Sequence, residues 1–308
     1  MEKLRRDFGL VFLAALGDPD TVEILLNADG TLWQEKLGEP MRPIGSLSST
    51  SAEAAIRTIA ACLQTTITRD NPTIECELPL DGSRFAGQIP PIVTAPVFAV
   101  RKRASRVFTL QQYVDAKIIT PEQKQVLCQA IRDHRNILVT GGTGTGKTTL
   151  TNALIHELTE QFPGERLVII EDTGELQCSA KNYVQYHTSP ERSMTHLVRH
   201  SLRVRPDRIL VGEVRGPEAL DLLMSWNTGH EGGIATIHAN NAAAGLTRLS
   251  TLVSMHPDAP REIEPLIGEA VDIIVHIART EKSRVVREIL KVVDFDRKNQ
   301  AYNMEPAA

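Results

Sequence analysis

The sequence predicts an α/β protein in which a smaller α+β domain, residues 1–100, precedes a larger domain, residues 108–308, built on a mostly parallel sheet. Three observations carry that expectation. From residue 108 onward short apolar strands alternate with helical text, as in parallel sheets covered by helices on both faces. Before residue 100 the strand candidates are separated by Asp-Gly and proline turns, which favour hairpins. One apolar strand also runs directly into a glycine-rich turn that opens a helix. At about 150 residues per domain, 308 residues fit two.

In order along the chain, residues 8–16 are mostly apolar and read as an amphipathic helix. Strands follow at 21–27 and 31–36, with Asp29-Gly30 turning between them. Ser48 to Ser51 offers a helix start, and 52–66 is the helix, with Ile56, Ile59, Ala60 and Leu63 on one face. Extended segments at 73–80, 84–89 and 97–101 are punctuated by Asp81-Gly82, Pro90-Pro91 and Pro96. Residues 101–107, with Arg101, Lys102, Arg103 and Arg106, read as a basic linker. Helices are expected at 110–116, 121–134, 147–161, 217–226, 242–255 and 261–270, and strands at 136–140, 166–171, 208–213, 234–237, 272–278 and 285–295.

Composition narrows the function classes. Net charge is −4 and aromatic residues are 4% of the chain, which argues against a nucleic-acid sponge or a base-stacking platform. No sequence-specific nucleic-acid binding is expected. Cys62, Cys76, Cys128 and Cys178 have no CxxC spacing, so neither zinc nor a redox pair is signalled. The basic start and the apolar stretch 8–16 superficially resemble a signal peptide, but Asp7 interrupts and no cleavage site follows. The stretch is also far short of the ~20 residues of a spanning helix. It reads as a helix packed on its own domain, with peripheral membrane contact as the alternative, and the chain as cytoplasmic.

The chemistry is concentrated in the second half. Residues 136–140 lead into Gly141, Gly142, Thr143, Gly144, Thr145, Gly146, Lys147, Thr148 and Thr149, a GxxxxGK[ST] loop between a strand and a helix. Its glycines let backbone N–H groups converge on phosphate oxygens, and the helix adds its positive end. Lys147 can reach the β- and γ-phosphates, and the Thr148 hydroxyl can ligate Mg²⁺. ATP with Mg²⁺ is therefore the expected cofactor set.

Acidic groups sit where apolar strands end, the place where open α/β sheets hold ligands. Glu171, Asp172 and Glu175 follow one strand, and Glu213 follows the other with Gly212 before it. Glu213 is the candidate to polarise the attacking water, and a Mg²⁺ ligand directly or through water. Glu171 and Glu175 are candidates for Mg²⁺ or water positioning. His230 and His238 flank a further strand, and a histidine at a strand end can report the γ-phosphate. Arginines that could stabilise phosphoryl charge are Arg84, Arg101 and Arg103 in the first half, and Arg199, Arg203, Arg205 and Arg215 in the second.

Together these segments resemble the secretion (traffic) ATPase superfamily, whose marks are a Walker A loop, an acidic Asp box, a Walker B segment with Glu after Gly, and a His box. Residues 141–149, 171–175, 209–213 and 228–238 match them in that order. The phrase from Arg203 to Gly216 is similar to the conjugation and Tad-pilus branch, and residues 80–91 and 98–103 resemble the Trb-type conjugal transfer ATPases.

The resemblance implies a RecA-like P-loop NTPase domain, a homohexameric ring and ATP held between the two domains of a subunit. It also implies inner-membrane partners from a type IV secretion or conjugation apparatus, met at the cytoplasmic face of the membrane. Arg84 and Arg101 fall where the family's N-terminal arginines approach phosphate, His238 on the γ-phosphate-contacting position, and Glu213 on the Walker B glutamate. The four-cysteine motif common in the type II branch is missing, which argues against general type II secretion. A Tad-type pilus motor, a nucleotide-switched assembly platform and a helicase are the rival expectations.

Overall fold

The structure is a computed structural model that describes residues 1–102, 107–189, 191–280 and 283–308. It separates into two compact units, Met1–Arg106 and Val107–Ala308.

In the first unit, α1 (Glu2–Gly17) and α2 (Ser49–Cys62) pack with an antiparallel sheet. Its strands are β1 (Thr21–Leu26), β2 (Thr31–Lys36), β3 (Arg42–Ser46), β4 (Thr73–Glu77), β5 (Arg84–Gln88) and β6 (Val97–Arg101), in the order β3-β2-β1-β6-β5-β4. In α1, Leu4, Phe8, Phe12, Ala15 and Leu16 recur at helical spacing on the buried face, while Leu10 on the opposite face is 86% exposed. Gly9 breaks the helical geometry with φ +75°. Phe8 and Phe12 stack at 4.0 Å and meet Phe98 edge-on.

The α2 helix is capped by Ser48, whose hydroxyl accepts from Ser51 N. It stops four residues before the expected end, because Gln64 turns left-handed at φ +56°. Leu63, expected on the buried face, is therefore exposed.

The second unit carries β7 (Ile137–Gly141), β8 (Leu167–Glu171), β9 (Tyr183–His187), β10 (Arg208–Val211), β11 (Ile234–His238), β12 (Ile273–Arg279), β13 (Arg284–Asp296) and β14 (Ala301–Pro306). Sheet order is β14-β13-β12-β7-β11-β10-β8-β9. The run from β12 through β9 is parallel, and β13 and β14 close it antiparallel.

Helices α3 (Leu110–Asp115), α4 (Pro121–Arg132) and α5 (Lys147–Gln161) belong to the core on one face; α6 (Met194–Ser201), α7 (Glu218–Trp226), α8 (Ala242–Ser254) and α9 (Ile263–Ala270) belong to the other. Alternation along the strands feeds both cores: Leu138 joins the second, Ile137 and Val139 the first. Capping boxes at Thr109/Gln112 and Thr120/Gln123 start α3 and α4.

The two-domain α/β expectation holds. β3, β9, α6 and β14 were not expected from the sequence. The strand expected to reach Glu213 ends at Val211, leaving Glu213 in the following loop. Arg101 ends β6, and the Lys102 ammonium donates to the Leu16 and Asp18 carbonyls, so both belong to the first unit rather than to a solvated linker. Arg103 and Arg106 lie outside the described residues. Among the described residues no helix is long and apolar enough to cross a membrane.

Candidate active site

β7 sits inside the parallel run, between β12 and β11, and the glycine-rich loop leaves its C-terminal end. Gly141 is packed so closely that a Cβ would lie 2.4 Å from Ile277 O and 2.6 Å from Thr145 Oγ1. Gly144 and Gly146 take φ +69° and +95°, a left-handed region that disfavours other residues. Gly146 is the N-cap of α5, so the loop delivers its N–H groups to a helix start without a side-chain cap, the arrangement that suits an anion.

Lys147 is the first residue of α5 and is almost fully buried. Its ammonium donates to the carbonyls of Gly141 and Gly142, each at 3.0 Å, and lies 3.3 Å from His238 Nδ1. His238 ends β11 in register with Gly141, which brings its ring to the loop. Its Nε2 is 3.0 Å from Glu213 Oε1. The Lys147 ammonium also lies 3.4 Å from Nε2, so both ring nitrogens face it, and the imidazole sits between the ammonium and the Glu213 carboxylate.

Glu213 follows β10 and also accepts from Arg215 Nη2 at 2.7 Å. Burial raises the Glu213 carboxyl, but the Arg215 hydrogen bond and charge, with the charges of His238 and Lys147, outweigh burial. The group is held below the ordinary carboxylate range and is anionic at neutral pH. Arg215 also approaches Asp172 Oδ2 at 3.4 Å. A cavity of about 450 Å³ opens beside this group, lined by Glu213, Val214, Arg215, His238 and Arg248.

On the other flank of the loop, Thr148 Oγ1 lies 3.4 Å from Glu175 Oε2. Asn152, one helical turn along α5, is fully buried and ties the Glu175 carbonyl to the Gln177 N–H. Glu171, expected to face metal or water, instead turns into its own loop. It is 3% exposed and accepts the backbone N–H groups of Glu175 and Leu176. Burial, the largest influence, raises its carboxyl above the ordinary range despite those hydrogen bonds.

The other candidates are dispersed. His230 precedes β11 and His238 ends it, so the two lie at opposite strand ends and His238 alone joins this group. Arg203 and Arg205 are exposed ahead of β10, at the N-terminal ends of the parallel strands, whereas the loop leaves the C-terminal end of β7, so the structure does not bring Arg203 to the phosphate loop of its own chain. Arg199 is engaged with Asp221 at 2.7 Å. Arg84 and Arg101 are cross-strand neighbours on β5 and β6 of the first unit.

Arg248, Asn152 and Gln185 were missed from sequence. Asn152 had a usable signal, being a polar residue four positions after Thr148 and so on the same face of α5. Arg248 and Gln185 have no motif around them.

The donors present fit Mg²⁺ carried by a nucleotide. Thr148 and Glu175 offer hard oxygens, and no cluster of three or more acidic, histidine or cysteine ligands exists among the described residues. That is the pattern of a metal held largely by substrate phosphates and water, with one or two protein oxygens.

The decisive comparison is with protein families. Residues 49–305 match the family described as "Type II/IV secretion system protein". The chain belongs to that family.

Within this secretion ATPase family it lies on the type IV secretion and conjugation branch. The chain is 46% identical over 305 residues to the "Probable conjugal transfer protein TrbB" of Sinorhizobium fredii, covering 99% of this chain and 93% of the relative. Among solved structures it is similar to the VirB11 ATPase of the Brucella suis type IV secretion system in complex with sulphate. That match has 26% identity, a TM-score of 0.51, and covers 94% of each chain. The Legionella pneumophila ATPase DotB shares the fold at TM-score 0.66 and 21% identity, with 94% of this chain and 81% of that one covered. The RecA-like P-loop assignment of the second unit rests on these neighbours together with the sheet order.

Proposed function

We propose that this chain hydrolyses Mg·ATP and that the cycle powers a conjugal transfer or type IV secretion apparatus. The observation that carries the reading is the contact chain Lys147–His238–Glu213, assembled from the ends of β7, β11 and β10 at the phosphate loop. Lys147 would exchange its two loop carbonyls for β- and γ-phosphate oxygens. Thr148 and Glu175 would hold Mg²⁺, which supplies charge neutralisation across those oxygens when bound. Glu213, kept anionic by Arg215, orients a water and draws on its proton as the water oxygen bonds to the γ-phosphorus. The bond to the β-phosphate oxygen breaks, releasing ADP and phosphate. His238 touches both the ammonium and the carboxylate, so departure of phosphate alters its surroundings directly.

Near full-length similarity to a conjugal transfer protein supports the conjugation role over a Tad-type pilus motor. The family resemblance supports a homohexameric ring in which Arg84 and Arg101 approach phosphate, with Arg203 a candidate for a site completed from more than one subunit. The ring would work at the cytoplasmic face of the inner membrane beside membrane-embedded partners.

The test is Glu213→Gln. It should bind Mg·ATP, release no phosphate and abolish conjugal transfer from a donor cell. Full transfer with that variant would favour a nucleotide-switched platform. Failure of the unaltered protein to take up Mg·ATP would end the reading. Particle mass with and without a non-hydrolysable ATP analogue tests the ring.

A further inference from the structure

Glu171 ends β8 and is 3% exposed, yet it has no cationic partner among its hydrogen bonds. Its Oε1 accepts Glu175 N at 2.6 Å and Leu176 N at 3.0 Å. Its Oε2 accepts Leu176 N at 3.3 Å and the amide of Gln185, which donates as well to the Leu176 carbonyl. Gln185 comes from β9, the neighbouring strand. The carboxylate therefore folds the segment 172–176 back over the end of its own strand. From the other side Asn152 holds the Glu175 carbonyl. Glu175 is fixed through both its N–H and its C=O, and its side chain is presented 3.4 Å from Thr148 Oγ1.

Gly212 belongs to the same arrangement. A Cβ there would lie 3.0 Å from Glu171 Cβ and 3.7 Å from Glu171 Oε1. The Glu171 side chain thus occupies the space that a residue larger than glycine would claim at 212.

We infer that Glu171 is a positioning residue: seated in the space left by Gly212, it aims Glu175 at Thr148 so that Glu175 is the carboxylate completing the Mg²⁺ site. The inference rests on the Mg·ATP reading. A carboxylate whose oxygens are saturated by N–H donors has little left for a metal, and a residue that orients a ligand from behind typically changes metal affinity about 10- to 100-fold when altered.

The test measures binding of a non-hydrolysable ATP analogue by calorimetry in excess Mg²⁺ and in EDTA. Glu171→Gln places an amide NH₂ against either the loop N–H groups or the Gln185 amide. It should leave affinity in EDTA within about twofold of the unaltered protein and cut the gain conferred by Mg²⁺ by about tenfold. Gly212→Ala, acting from the loop that follows β10, should shift the Mg²⁺-dependent gain the same way by a smaller factor. It decides the matter if Glu171→Gln does not fold. An unchanged Mg²⁺-dependent gain in the folded variants would overturn the inference. So would equal losses in EDTA and in Mg²⁺, which would mark a structural role only. If the unaltered protein takes up no analogue at all, the proposed function fails, and that outcome is distinct from either.

Discussion

Alanine at successive glycines of the phosphate loop should separate sharply, because the space around each differs. At Gly141 a Cβ would sit 2.4 Å from the Ile277 carbonyl and 2.6 Å from Thr145 Oγ1. Ile277 belongs to β12, whose preceding residues pair with β7, so that carbonyl cannot withdraw without opening the pairing. Overpacking against backbone costs roughly 1–3 kcal/mol or more. At Gly144 there is open space but φ is +69°, which costs alanine roughly 1–2 kcal/mol. At Gly142 the nearest contact is an ordinary 3.6 Å to Thr145 Cγ2 and φ is not positive, so alanine is neutral or stabilises by up to about 1 kcal/mol.

For a unit of this size each kcal/mol moves the melting temperature by roughly 2–4 °C. Gly141→Ala should therefore melt about 2–12 °C below the unaltered protein, Gly144→Ala roughly 2–8 °C below, and Gly142→Ala at or slightly above it. Calorimetric melting without nucleotide checks the order. A Gly141→Ala protein that melts with the unaltered one, or a Gly142→Ala protein damaged as badly, would refute the packing argument.

Lys147→Ala removes the ammonium and should abolish phosphate release while weakening nucleotide binding roughly thirtyfold or more, since losing one partner of a buried charge pair costs about 2–5 kcal/mol. Near-normal turnover in a folded variant would count against the site. The Glu213 carboxyl lies below its unfolded value, so its interactions stabilise the fold above the ordinary carboxylate range and are lost as pH falls through the depressed value. Arg215→Ala leaves burial as the dominant influence, so the acid limb of the pH–kcat profile should move to higher pH. An unmoved limb would mean that Arg215 does not tune Glu213. A fragment beginning at Val107 should keep its fold and hydrolyse poorly for want of Arg84 and Arg101, and wild-type turnover from it would dismiss those arginines. Arg203→Ala should leave nucleotide affinity of dilute subunits unchanged and reduce turnover only in the assembled state, since Arg203 precedes β10 at the strand ends opposite its own loop.

What was legible in the sequence is what local backbone demands write there. A loop that must clear Cβ atoms from phosphates needs glycines at fixed spacing, and a buried parallel strand needs an unbroken apolar run. Hence 141–149 and the strands at 137, 167, 208, 234 and 273 could be read directly. The edge elements were not. β9 and β14 are half-exposed, so neither an apolar run nor strict alternation marks them. The end of α2 depended on one residue turning left-handed, at a glutamine rather than the usual glycine. Side-chain direction was the larger gap. The two glutamates of the Asp box are alike in the text, but Glu171 faces its own loop and Glu175 faces Thr148, a difference set by Gln185 and Asn152 from other elements. Arg215 likewise reads as one surface charge among several until Glu213 and Asp172 are seen beside it.

The sheet order gives these contacts a direction. Lys147 follows β7, His238 ends β11, Glu213 and Arg215 follow β10, Asp172 follows β8, and Thr188 follows β9. That sequence is the strand order itself. Successive contacts at 3.3, 3.0, 2.7, 3.4 and 3.0 Å join them into one polar line across the C-terminal edge of five strands. Charges alternate along it from ammonium through imidazole to carboxylate, guanidinium and carboxylate, so each member is held by its neighbours and a change at one end alters the field at the next. A γ-phosphate that draws Lys147 away from His238 would perturb the line at its inner end. Its outer end lies at the edge of the sheet, where β9 has no further strand beside it among the described residues. The arrangement thus links the place where a phosphate would be lost to an edge of the unit through polar side chains in contact, without requiring the sheet beneath them to move.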